Sequence, residues 1–115
     1  MTAKETAIKI TNALNSKKAQ DIKVLHIEDL TIVTDYFVIA NGTSNTQVKA
    51  LAEEVEFQLE QEGIRPRHIE TSETRNWVLL DYNAVIVHIF LPEAREFYDL
   101  ERLWADGVPV EVELD

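Results

Sequence analysis

Near the N-terminus, Ala3, Ala7, Ile10 and Leu14 recur at the spacing of one face of an α-helix. Thr2 followed three residues later by Glu5 has the form of a capping box, so a helix is expected from about Ala3 to Ser16. Ile22, Val24 and Ile27, with Leu25 between them, predict a short strand from Ile22 to Ile27 that ends at Glu28 and Asp29. Tyr36 to Ala40 is an unbroken aromatic and β-branched run, the pattern of a strand covered on both faces and therefore central in a sheet. Asn41 and Gly42 interrupt it. Ser44 with Gln47 repeats the capping-box pattern, and Val48, Leu51, Ala52, Val55 and Leu59 lay out a second helical face that Gly63 stops. The polar side of that helix carries Glu53, Glu54, Glu56, Glu60 and Glu62, an acidic stripe whose plain reading is a solvated surface.

Ile64 to Ile69 reads as a strand interrupted by Pro66, which places it near an edge, and a polar loop follows from Glu70 to Asn76. Trp77 to Tyr82 and Val85 to Leu91 form the clearest hairpin, turning at Asn83 and Ala84. By alternation, Trp77, Leu79 and Asp81 share one face of the first strand, and Ile86, His88 and Phe90 one face of the second. Pro92 suits the first turn of a helix continuing through Ala94, Phe97, Leu100, Leu103 and Trp104 to a stop near Gly107. Val108 to Leu114 alternates apolar and acidic residues, as a final strand or extended tail. The order predicts one layered α/β domain over residues 1–115, a mixed sheet of about five strands flanked by helices.

Charge narrows the partners. Eleven Lys and Arg against 21 Asp and Glu give a net charge of −10, which repels phosphate backbones and attracts a basic protein surface. Direct sequence-specific binding to nucleic acid is therefore not expected. The absence of cysteine removes disulfides and thiolate chemistry and fits a reducing compartment. No stretch resembles a signal peptide or reaches the roughly 20 apolar residues that span a bilayer, so a soluble, cytoplasmic protein without membrane contact is expected.

Chemical motifs are sparse. Asn41-Gly42-Thr43-Ser44 lies between a strand and a helix N-terminus, where backbone amides can hold a phosphate, but Ser44 as a cap accounts for the same residues. His26, His68 and His88 lie too far apart in sequence for a helical metal site. His88 interrupts an apolar strand, and it is expected either buried and paired with a carboxylate such as Asp81 or presented in a binding site. No Asp-x-Asp pair occurs to hold the metal of a nucleotidyl-transfer site, and Glu111 and Glu113 fall in the tail. No catalytic residue, metal or cofactor is assigned. Trp77, at a loop-to-strand junction beside Asp81, is either core or the anchor of a protein interface. Tyr98 and Glu101 lie one turn apart on the last helix.

Trp77-Val-Leu-Leu-Asp81-Tyr82, Val87-His88-Ile89-Phe90 and Arg95-Glu-Phe-Tyr98-Asp-Leu100-Glu101-Arg-Leu103-Trp104, with Asp35-Tyr-Phe-Val-Ile and Gly42-Thr43-Ser44 upstream, resemble the ribosomal silencing factor family, also called the Iojap family. The resemblance runs from about Lys18 to Trp104. It implies a nucleotidyltransferase-like core without catalytic carboxylates. It also implies a translational repressor that binds large-subunit ribosomal protein L14 and blocks joining of the small subunit, as a monomer or weak homodimer. The implied partner-binding residues are Glu70, Trp77, Leu79, Asp81, Tyr82, His88, Arg95, Tyr98 and Glu101. A nucleotide-binding or nucleotidyl-transferring enzyme on the same fold is the alternative. The chain departs from the family pattern at Glu70-Thr71-Ser72, where Glu-Gly is usual, and at Asn83-Ala84, where Gly-Asp is usual.

Overall fold

Thr2 Oγ1 accepts from the Glu5 N–H while the Glu5 carboxylate accepts from the Thr2 N–H, closing the capping box that starts α1 (Ala3–Ser16). The structure, a computed structural model, describes residues 1–27, 34–98 and 108–110. After α1 come β1 (Gln20–His26), β2 (Tyr36–Asn41), α2 (Asn45–Glu60), β3 (His68–Thr71), β4 (Trp77–Asp81), β5 (Val85–Phe90), α3 (Pro92–Tyr98) and β6 (Val108–Pro109). The sheet order is β3-β4-β5-β2-β1-β6, with β2 and β5 parallel and the other neighbours antiparallel. Five main strands and the two-residue β6 thus make the expected mixed sheet.

Helices α1 and α2 cover one face. Ile10 and Leu14 from α1 and Val48, Leu51, Val55 and Leu59 from α2 are fully buried against Val38, Leu80, Val87 and Ile89. A smaller apolar layer on the other face gathers Leu25, Phe37, Ile39 and Phe90 under Ala94 of α3. Every residue of β2 is buried, as its unbroken apolar run requires of a strand covered on both sides.

The passage from β2 to α2 is tight. The Gly42 N–H donates to the Phe90 carbonyl at 2.8 Å, and a β-carbon at Gly42 would come within 2.9 Å of Val48 Cγ2. Ser44 Oγ caps α2 through the Gln47 N–H at 3.1 Å, but the Gln47 side chain turns to Thr43 and not back to the Ser44 amide. Only half of the second capping box forms.

The edge strand is displaced from its expected position at Ile64–Ile69. Gly63, at φ 74°, and Ile64, whose N–H reaches the Leu59 carbonyl, belong to the stop of α2. Pro66 has no N–H to give, and pairing begins where the Arg67 N–H meets the Asp81 carbonyl at 2.7 Å. Glu70 and Thr71, expected in a loop, are therefore strand residues. Strand β1 starts two residues before the expected Ile22, with a register irregularity between Gln20 and Lys23. Pro92 opens α3 as expected. The continuation through Leu100, Leu103 and Trp104 to Gly107 lies outside the described residues, as does the tail beyond Val110.

Candidate docking face

The face of the sheet opposite α1 and α2 carries three cross-strand rows. Trp77, Phe90 and Asn41 form one; Glu70, Leu79, His88, Ile39 and Lys23 the next; His68, Asp81, Ile86, Phe37 and Leu25 the third. Alternation along each strand brings these residues to one side, and the register lines them up.

Trp77 and His88 form the centre. Trp77 Nε1 donates to His88 Nδ1 at 3.2 Å, and their rings stack at 6.0 Å between centroids. Phe90 continues the stack, 6.1 Å from Trp77 and 5.8 Å from His88, and Phe37 meets His88 edge-on at 5.3 Å. His88 is buried and Trp77 half-buried, so the hydrogen bond anchors the indole at its Nε1 edge. Burial lowers the His88 pKa to about 4, leaving a neutral ring near neutral pH. Because Nδ1 accepts from Trp77, that neutral ring carries its proton on Nε2.

The expected His88–Asp81 pair does not form. Asp81 stands opposite Ile86, and its carboxylate takes the Arg67 guanidinium at 2.9 Å and the Asn83 N–H at 2.7 Å. Partial burial pushes the Asp81 carboxyl up, but the Asn83 N–H and Arg67 outweigh it and hold the group below its ordinary range. Asn83 sits at φ 72° in this turn, a left-handed conformation that asparagine tolerates. Leu79 is half-buried between His88 and Glu70. Glu70 is exposed on the edge strand and lies 3.2 Å from His68 Nε2.

Arg95 works from the side. Its Nη1 donates to the Asp21 carbonyl at 2.6 Å and to Asn41 Oδ1 at 3.0 Å, tying α3 to the ends of β1 and β2. Tyr82 does not join the face. It belongs to the core beneath α1 and α2, where its buried hydroxyl has no hydrogen-bond partner among the described residues. Burial, with Glu56 nearby, raises its pKa. The side chain of Tyr98, and all of Glu101, lie outside what is described. Phe37, Phe90 and Ile86 belong to the face but were not among the implied residues; the alternation of β5 pointed to the last two, whereas Phe37 depends on the parallel pairing of β2 with β5.

Much of the Asn41–Ser44 segment is already engaged within the chain. The Gly42 N–H is held by Phe90, Thr43 by the Gln47 side chain, and Ser44 Oγ by the Gln47 N–H. Among the described residues no three His, Asp or Glu side chains are grouped to hold a metal ion.

The sequence matches the family model described as "Ribosomal silencing factor during starvation" over residues 1–115. The chain belongs to the ribosomal silencing factor family. It is 40% identical over 95 residues to the ribosomal silencing factor of Bacillus subtilis, covering 83% of this chain and 80% of that one. The counterpart from Halalkalibacterium halodurans is 37% identical over 102 residues, 89% of this chain and 87% of that one. A crystal structure of a protein from Chromobacterium violaceum superposes with a TM-score of 0.88 at 36% identity, covering all of this chain and 95% of that one. The family is one of ribosome-associated translation regulators, and its match reaches beyond the 18–104 segment that the motifs delimited. No described helix is long and apolar enough to cross a membrane.

Proposed function

We propose that this ribosomal silencing factor represses translation by docking on large-subunit ribosomal protein L14 through the Trp77 face, so that its bulk blocks joining of the small subunit. It does this by occupancy, without catalysis of its own. The observation that carries the reading is Trp77 itself. The indole is fixed by His88 and Phe90 and half-buried, and the same sheet face carries Glu70 in the next cross-strand row and Asp81 in the one beyond. A rigid, half-exposed aromatic on an apolar bed with a charged rim is the form of an interface hot spot, and a rim of carboxylates favours a basic partner. Glu70, Leu79 and Asp81 contact the partner around Trp77, whereas His88 and Arg95 act from behind by holding Trp77 and α3.

Co-sedimentation with separated ribosomal subunits tests this. The protein is expected with the large subunit, and reassociation of subunits is expected to fall as it is added. Binding to small subunits alone, or magnesium-dependent nucleotidyl transfer abolished by a single Asp substitution, would overturn the proposal.

A further inference from the structure

On the helix-covered side of the sheet, away from Trp77, an open groove of about 880 Å³ runs between α2 and the edge strand β3. Its apolar floor includes Val48, Ala52, Ile69 and Val78, and Ile69 stays 43% exposed although its side chain points toward the helix side. Val48, Ala52 and Val78 are buried, so Ile69 is the floor's large aliphatic side chain that a ligand would cover.

Strand β3 supplies the second half of a binding groove. Each of its four residues is exposed, and it ends the sheet on the side away from β6. The Ser72 N–H donates to the Trp77 carbonyl at 3.0 Å, so by the alternation of an antiparallel ladder Thr71 and Ile69 turn their N–H and C=O groups away from β4. An unpaired edge beside a helix is the arrangement in which an extended peptide adds as one more strand.

The helix wall sets the chemistry. Glu53 and Glu56 line it, and Glu56 has no basic partner among the described residues. Lys49, already 4.0 Å from Glu53, and Arg75, in the loop after β3, also line the groove, and Glu73 brings its carboxylates to three. Partial burial, then Glu53 and Glu60, raise the Glu56 pKa, the mark of a carboxylate lacking a counter-charge. A second copy of this chain fits poorly, because it brings a net charge of −10 and the same two glutamates.

We infer that the groove between α2 and β3 binds an extended peptide of a partner protein by strand addition to Ile69 and Thr71, every second side chain facing the helix and these placing apolar groups on the Ile69–Val78 floor and basic ones toward Glu53 and Glu56. This site is separate from the Trp77 face and does not depend on the docking proposed there.

Fluorescence anisotropy of the full chain tests it, with a labelled octapeptide in which every second residue is threonine and the positions between alternate valine and lysine, against the same peptide with glutamate in place of lysine as control. Saturable binding of the lysine peptide is expected, weakened about tenfold or more by Glu56→Lys and by Thr71→Pro, which removes an outward N–H. Ile69→Arg, at an exposed position, gives the same readout should Thr71→Pro fail to fold by circular dichroism. Absence of saturable binding, equal binding of the glutamate peptide, or binding indifferent to both Glu56→Lys and Ile69→Arg would overturn the inference. So would a concentration-dependent dimer in ultracentrifugation that Ile69→Arg abolishes, because it would give the groove to a second copy.

Discussion

Trp77 and His88 sit diagonally across β4 and β5, and the indole N–H of one ends on Nδ1 of the other at 3.2 Å. One hydrogen bond thereby fixes the orientation of a half-exposed ring and satisfies a buried one. Trp77→Phe keeps an aromatic ring against Phe90 but leaves His88 Nδ1 unpaired, and should cost about 1–3 kcal/mol of stability in urea denaturation. Trp77→Ala should also lower large-subunit affinity about thirtyfold, the loss of ~2 kcal/mol at a hot spot. Melting temperature and co-sedimentation on the same proteins separate folding from docking. A folded Trp77→Ala chain that binds like wild type would exclude Trp77 as the anchor.

His88 makes stability fall in mild acid. Its pKa is lowered to about 4 in the folded chain, against roughly 6.5 when unfolded, so the unfolded state takes the proton first. The stabilisation is complete above pH ~6.5 and is lost as pH falls toward 4, on the order of 3 kcal/mol in all. Comparing unfolding free energies at pH 7 and pH 4.5 measures it. His88→Gln, which retains an acceptor for Trp77, should remove most of the His88 contribution.

Tyr82 carries a hydroxyl in the core without a hydrogen-bond partner among the described residues. Tyr82→Phe removes the polar atom and keeps the ring, so stability should stay level or rise by about 1 kcal/mol. A loss above about 1 kcal/mol in urea titration would show that the hydroxyl is satisfied.

Gly42→Ala should destabilise by roughly 1–3 kcal/mol, because the added methyl meets Val48 Cγ2 at 2.9 Å and the Val48 amide at 3.1 Å. Trimming the opposing side chain in Gly42→Ala/Val48→Ala should recover part of the Gly42→Ala cost, which a double-mutant cycle reads directly.

Docking should weaken with salt, chiefly through a slower on-rate, because a chain of net charge −10 is steered toward a basic partner by long-range attraction. Stopped-flow association at two ionic strengths checks this. An unchanged on-rate would argue against steering.

Local chemistry made much of the fold legible. Thr2 with Glu5, the Asn83 turn and Pro92 each act over a few residues, and α1, the β4–β5 hairpin and the start of α3 follow from them. The strand period also sufficed to put Tyr82 opposite Trp77, since it falls on the parity of Val78 and Leu80; its placement on the docking face came from the resemblance alone. What depends on distant neighbours was not legible. Asp81 was a plausible partner for His88 until register set it beside Ile86 and Arg67, and β3 shifted because its pairing with β4 overrides the apolar start at Ile64.

The parallel pairing of β2 with β5 has a kinetic consequence. Tyr36 meets Val85 only after α2, β3 and β4 have been traversed, so the middle of the sheet closes the longest chain loop among the pairs of its five main strands. Such closure spends chain entropy before any contact repays it. The hairpin and the α1–α2 pair can assemble early, while the centre waits for both. Emerging from a ribosome, this chain cannot complete its innermost strand pair until Phe90 has been made, and the Trp77–His88 lock forms at nearly the same moment.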